Sequence, residues 1–188
     1  MKRICVALLC ASVLIVVLGT CVLAQYDLHE RSRVGVRAVV FRPDASELTG
    51  LNANWLGPQV DFHLGFDDYD RPTQMISVGW FGEDSGRATG KLVPLTASYV
   101  YRFGDESANP WYIGGGIGAY FASYEYIQGF SIVKDKETKM GYHVSFGREV
   151  GSWFGGVEYH FIDELGLRTG ESLDFSGWSI VLGARYTF

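Results

Sequence analysis

The chain has 188 residues, 15% of them aromatic and 24 of them glycine, with 16 Lys and Arg against 21 Asp and Glu for a formal charge of -5. That length suits a single domain, and an acidic chain without a basic stripe argues against nucleic acid as a partner. Aromatic residues and glycine rising together point to short, tightly packed strands rather than helices.

The first segment, Met1-Lys2-Arg3 followed by an apolar run from Ile4 to Leu18, reads as the basic and hydrophobic regions of a signal peptide. The run is too short to cross a bilayer as a helix. Val22-Leu23-Ala24 offers a small residue before a cut, so residues 1–24 are expected to be removed and 25–188 to form the mature barrel domain. Lys2 and Arg3 are the only charges in that leader, so the charge of the remainder is -5 - 2 = -7. A competing cut exists at Leu18-Gly19-Thr20-Cys21, which resembles the lipobox at which lipoproteins are acylated. Cys5, Cys10 and Cys21 all precede the cut after Ala24, which leaves neither a disulfide nor a thiolate site beyond it. No cofactor is expected.

From Gln25 onward no window holds apolar residues at helical spacing for three turns, whereas period-two alternation recurs to the end. Val34, Val36, Ala38 and Val40 alternate with Arg33, Gly35, Arg37 and Val39. Val60, Phe62, Leu64 and Phe66 alternate with Gln59, Asp61, His63 and Gly65. Ile76, Val78 and Trp80 follow, then Leu95, Ala97, Tyr99, Tyr101 and Phe103 against Thr96, Ser98, Val100 and Arg102. Trp111, Ile113, Ile117, Ala119 and Phe121 make a fifth strand, and Met140, Tyr142, Val144 and Phe146 a sixth, opposed by Gly141, His143, Ser145 and Gly147. Trp153, Val157, Tyr159 and Phe161 oppose Phe154, Gly156, Glu158 and His160. The last strand, Trp178 to Phe188, is the clearest of the eight.

The connections alternate as well. Residues 43–58, 83–91, 125–137 and 163–174 form long polar stretches, separated by the shorter 67–73, 104–110 and 148–152. Long loops at one end and short turns at the other are the pattern of a membrane barrel.

Alternation alone does not say which face looks outward, and a secreted, soluble lipocalin-like barrel is the alternative with the apolar face inside. No Lys sits within an expected strand, and the polar face is rich in glycine, as the inside of a narrow barrel requires. On the apolar face, Tyr101, Phe103, Trp111, Trp153, Tyr186 and Phe188 gather at one end and Trp80, Phe121, Tyr142, Phe161 and Trp178 at the other, as two aromatic girdles. The expected fold is therefore all-β, an eight-stranded antiparallel up-and-down transmembrane β-barrel.

Asn109-Pro110-Trp111-Tyr112-Ile113-Gly114-Gly115-Gly116-Ile117-Gly118 resembles the Pro-Tyr-x-Gly-x-Gly-x-Gly stretch of a central strand in the small outer-membrane β-barrel families of the OmpA transmembrane domain, OmpW and opacity type. Gly156-Val157-Glu158-Tyr159-His160-Phe161 is similar to their penultimate strand. The C-terminus, Gly183 through Tyr186 to Phe188, resembles the signal read by the barrel-assembly machinery, departing from it at Val181, where a polar residue is usual. The resemblance implies the bacterial outer membrane, with lipid and lipopolysaccharide as surroundings and the assembly machinery as a partner during biogenesis.

The polar face places Arg37, Asp61, His63, Arg102, His143, Glu158, His160 and Arg185 inside. Buried charge is costly unless paired, so these residues are expected to form a plug in which Glu158 and Asp61 meet Arg37, Arg102 or Arg185. A narrow gated channel is the alternative, but eight strands leave an interior that side chains fill. His143-Val144-Ser145 is similar to the His-x-Ser of an outer-membrane lipid A deacylase, a lipid A-modifying hydrolase, yet alternation turns both residues inward, away from lipid. No enzyme and no metal site is expected, and His63, His143 and His160 read as hydrogen-bonded filler. The loops are left to meet an extracellular ligand: Leu48, Leu51 and Trp55 in the first, and Tyr126, Ile127, Phe130, Ile132 and Val133 ahead of the charged run Lys134 to Lys139 in the third. A structural, adhesive or small hydrophobic-ligand role is expected.

Overall fold

The computed structural model describes residues 33–44, 54–64, 73–86, 88–104, 109–128, 131–166 and 172–187. The leader over 1–24 with Cys21, the loop positions Leu48, Leu51 and Phe130, and the terminal Phe188 lie outside the described residues.

Among the described residues, eleven strand segments follow one another: β1 (Arg33–Pro43), β2 (Trp55–Leu64), β3 (Thr73–Gly79), β4 (Phe81–Asp84), β5 (Ala88–Phe103), β6 (Trp111–Gln128), β7 (Ser131–Val150), β8 (Trp153–Ile162), β9 (Leu165–Gly166), β10 (Ser172–Leu173) and β11 (Gly177–Thr187). β3 and β4 lie on either side of Trp80 and pair with the same neighbour, β5, so together they make one stave. Among the described residues β9 and β10 pair with each other alone, as a small hairpin. Eight staves remain, each antiparallel to the next. β1 pairs with β2 on one side and with β11 on the other, with Val36 opposite both Val60 and Ala184, so the sheet closes. Closure leaves no edge within the barrel, which is the condition for crossing a bilayer with strands.

The polarity of the wall is inverted relative to a soluble barrel. Val36, Phe62, Val78, Leu95, Ile113, Ile117, Val144, Val157, Ile180 and Leu182 face outward, Ile180 with 63% of its surface exposed. Arg37, Gln59, Asp61, Ser77, Thr96, Ser98, Arg102, His143 and Glu158 are buried within. The girdle residues Trp80, Tyr101, Phe103, Trp111, Phe121, Tyr142, Trp153, Phe161, Trp178 and Tyr186 are all exposed on the outer wall. Several touch along it: Tyr142 stacks on Phe161 at 4.4 Å between ring centres, Tyr159 meets both Phe161 and Trp178 edge-on, and Trp111 stacks on Phe146.

Two of the four long connections do not exist as loops. Residues 83–91 belong mostly to β4 and β5, and 125–137 to β6 and β7, which pair from Trp111↔Arg148 up to Gln128↔Ser131. Outward apolarity measures the height of a membrane-facing band, and it ends near Phe121 and Met140. Backbone pairing does not depend on it, because above such a band both faces of an antiparallel sheet are free to be polar. The sheet of β5, β6 and β7 thus rises beyond the rest of the wall. Trp55, expected in the first loop, begins β2 and points inward with no exposed surface. The stretch 148–152 shrinks to a turn at Gly151 and Ser152, where Gly151 takes a positive φ of 59°, a conformation that favours glycine.

Inward glycines give room for a ring to lie flat. Tyr112, Gly147 and Gly156 form one row across β6, β7 and β8. A Cβ on either glycine would run into the Tyr112 hydroxyl, so the tyrosine reaches sideways over two neighbouring strands. Tyr120 covers Gly141 in the same manner. A large ring over a cross-strand glycine restores the contact the missing side chain forgoes.

Candidate functional site

The end at which Leu64, Phe103 and Gly151 lie is here the lower end. Just inside it, Arg102 Nε donates to Glu149 Oε1 at 2.9 Å and Arg102 Nη1 to Thr73 Oγ1 at 2.6 Å, while Arg185 pairs with the same Glu149 oxygen from the far side. Next above, Arg37 joins Asp61 at 3.1 Å and also pairs with Glu158. Of the three arginines expected to meet Asp61 and Glu158, Arg37 takes both, while Arg102 and Arg185 converge on a carboxylate that the alternation had placed in a turn. Glu149 is buried because β7 runs two residues past Gly147 with its pleat unbroken. The signal was present in the sequence as Ser145, Gly147, Glu149, a continued inward series.

A second polar layer lies higher. Tyr120 Oη and Ser179 Oγ lie 3.2 Å from His160 Nδ1 and Nε2 respectively, and Ser98 Oγ lies 3.1 Å from His143 Nε2. The two imidazoles are 5.6 Å apart, and Glu158 Oε2 is 3.6 Å from His160 Nε2. His63 sits apart from them, lower down beside Asp61, at a cavity of about 20 Å3 bordered by Arg37, Tyr112, Glu158 and Arg185. A space of that size is on the scale of one water molecule. Ser145 borders the same cavity, and His143 spends its ring nitrogen on Ser98, so the His-x-Ser pair is split between two interior environments.

The upper mouth is closed by rings. Phe41 stacks on Phe81 at 5.6 Å and meets Trp55 edge-on, Trp55 meets Phe175, and Leu92, Leu165 and Leu173 complete the cluster. Leu165, Leu173 and Phe175 come from the β9–β10 hairpin and the residues after it, folded over the opening. Apart from Trp55, which was assigned to a loop, these cap residues were not singled out in the sequence; Phe41 and Phe81, for example, lie one step beyond the apolar series that define their strands.

On the outer wall above Phe121, the pleat sorts the run from Lys134 to Lys139. From Val133 onward even-numbered residues of β7 face out and odd-numbered ones face in, so Lys134 and Lys136 point outward while Asp135, Glu137 and Lys139 point inward. Inside, Lys139 pairs with Glu137 at 3.0 Å, and Glu137 accepts from the Gly166 amide at 3.3 Å, tying the β9–β10 hairpin to the raised sheet. Outside, three rows climb across β5, β6 and β7: Val93–Phe121–Thr138, then Lys91–Ser123–Lys136, then Thr89–Glu125–Lys134. Lys134 pairs with Glu125 in the top row.

No family model matches the chain, and no curated protein matches it either. Solved structures do. Neisserial surface protein A (NspA) superposes with a TM-score of 0.65 over 84% of this chain and 97% of its own, at 16% identity. The fold is that of the small outer-membrane β-barrels. A major outer membrane protein from Thermus thermophilus is similar with a TM-score of 0.57 at 12% identity, covering 85% of this chain and all of its own. Ail, the attachment invasion locus protein of Yersinia pestis, solved in complex with the heparin analogue sucrose octasulfate, gives 0.52 at 16% identity over 84% of this chain and 97% of that one. At such identities the likeness is one of fold.

Proposed function

We propose that the chain is an integral outer-membrane protein whose barrel is a closed anchor, neither channel nor enzyme, and whose working surface is the raised β5–β6–β7 sheet with its neighbouring connections. The observation that carries this reading is the filled interior. From Glu149 upward through Arg37, His160 and Phe175, ion pairs, polar contacts and rings follow one another, and an eight-stranded barrel has little room to spare. A partner is thus met outside. The sheet standing above the girdle supports a structural or adhesive role, and Ail with its bound sulfated sugar analogue offers a fold-level precedent for a polyanion as ligand.

The protein extracted from outer membranes is expected to shift in gel mobility on heating and to stay silent in planar bilayers. Release by carbonate washing sinks the membrane reading, and steady conductance sinks the closed barrel. For the hydrolase alternative, the burial of His143 and Ser145 on the inner face is the observation against it, since lipid lies on the other side of the wall. Deletion or overexpression should leave lipid A mass spectra unchanged, and a lost acyl chain would reverse that assignment.

A further inference from the structure

The row Lys91–Ser123–Lys136 sits on the outer face one step above Val93–Phe121–Thr138, the row that carries the upper girdle. Two residues along a strand advance about 7 Å, and a stave tilted by about 40° converts that to roughly 5 Å of height. The polar layer on each side of a bilayer's hydrocarbon core is about 5–8 Å deep. If the wall below is immersed, as proposed above, both ammonium groups stand among lipid headgroups. Their strands are second neighbours, so they bracket Ser123 at about 10 Å. Lys91 and Lys136 form no ion pair among the described residues, whereas Lys134, one row higher, is paired with Glu125.

The pleat is what makes this row basic. Read as a string, Lys134 to Lys139 has mixed charge, but its acids Asp135 and Glu137 point toward the barrel axis. Lysine carries its ammonium on a flexible apolar stem that lies along an apolar wall while the charge reaches the interface.

We infer that Lys91, Ser123 and Lys136 form a side-wall site for a phosphorylated lipid headgroup of the outer leaflet. The site commits to lipid over a soluble polyanion because it continues the membrane-facing band downward, on the same strands and the same face, rather than opening at the tip of the sheet. A phosphate between the two lysines would receive charge-assisted hydrogen bonds from both and from the Ser123 hydroxyl.

The test uses the intact barrel in detergent and native mass spectrometry, titrating diphosphorylated lipid A, its dephosphorylated form and sucrose octasulfate. The wild-type protein should hold the diphosphorylated lipid about tenfold more tightly than the dephosphorylated one. The double variant Lys91→Gln/Lys136→Gln should lose that preference. Lys139→Gln, from the same run but the inner face, should keep it. Equal binding of the two lipids by the wild type, an unchanged preference in the double variant, or tighter binding of sucrose octasulfate than of lipid overturns the proposal. A heat-modifiable gel shift of each variant reports that it is folded. If the wild type itself washes from membranes with carbonate, the membrane reading fails and this site with it; an integrated barrel blind to phosphate removes the site alone.

Discussion

In the lower half of the barrel interior three arginines, Arg37, Arg102 and Arg185, face three carboxylates, Asp61, Glu149 and Glu158, while in the upper half Phe41, Trp55, Phe81 and Phe175 face one another. Both sets fill the interior, but they do so with different physics. Rings gain free energy by leaving water. Paired charges recover what desolvation took, and their net contribution is close to zero as long as every member is present. The lower half is therefore expected to add little net stability while intact, and the upper half to supply it.

Removing one member of the charged half should have the largest effect. Arg37→Ala leaves Asp61 and Glu158 buried without their cation and should cost about 4 kcal/mol in urea unfolding from detergent. The combination Arg37→Met, Asp61→Leu, Glu158→Leu should recover most of that loss. If the triple variant is as unstable as the single one, the lower half stabilises the barrel outright and the contrast between the halves fails. Phe41→Ala should follow at about 3 kcal/mol, through lost burial and the cavity left behind. No second deletion in the cap should restore it, and a cap variant as stable as wild type would mean the rings are dispensable closure.

Smaller effects sharpen the boundary. Gly156→Ala forces a methyl against the Tyr112 hydroxyl and the Phe146 carbonyl, and should cost about 2 kcal/mol by overpacking. Glu125→Gln, in the raised sheet outside the barrel, should change the unfolding midpoint by less than about 1 kcal/mol, because an exposed pair with Lys134 is worth little. A large loss there would make the raised sheet part of the stability core.

Which side of the wall a residue occupies was legible from the sequence, since the pleat has a period of two and Arg37, Asp61, Arg102, Glu158 and His160 fall in phase with their strands. Who pairs with whom was not. Arg102 on β5 and Arg185 on β11 meet Glu149 on β7 across the lumen, and that convergence depends on how strands stagger around a closed barrel, which no single strand encodes. Strand length was misjudged for a related reason. Apolarity marked where β6 and β7 leave the outward apolar band, and the hairpin continues for a further stretch with Ser, Glu and Lys on its outer face. Trp55 was lost to a loop because Gly57 and Pro58 interrupt the alternation that would have tied it to Gln59 and Asp61.

β7 is a single uninterrupted strand of 20 residues, Ser131–Val150, so the raised hairpin and the barrel wall share one reading frame. Deleting Thr138 or Lys139 would leave everything below in place and invert everything above: Asp135 and Glu137 would turn outward, and Lys134 and Lys136 would turn toward the axis. Length changes in this segment should be tolerated in steps of two and rejected in steps of one, a parity rule that compositional drift at the same positions would not obey.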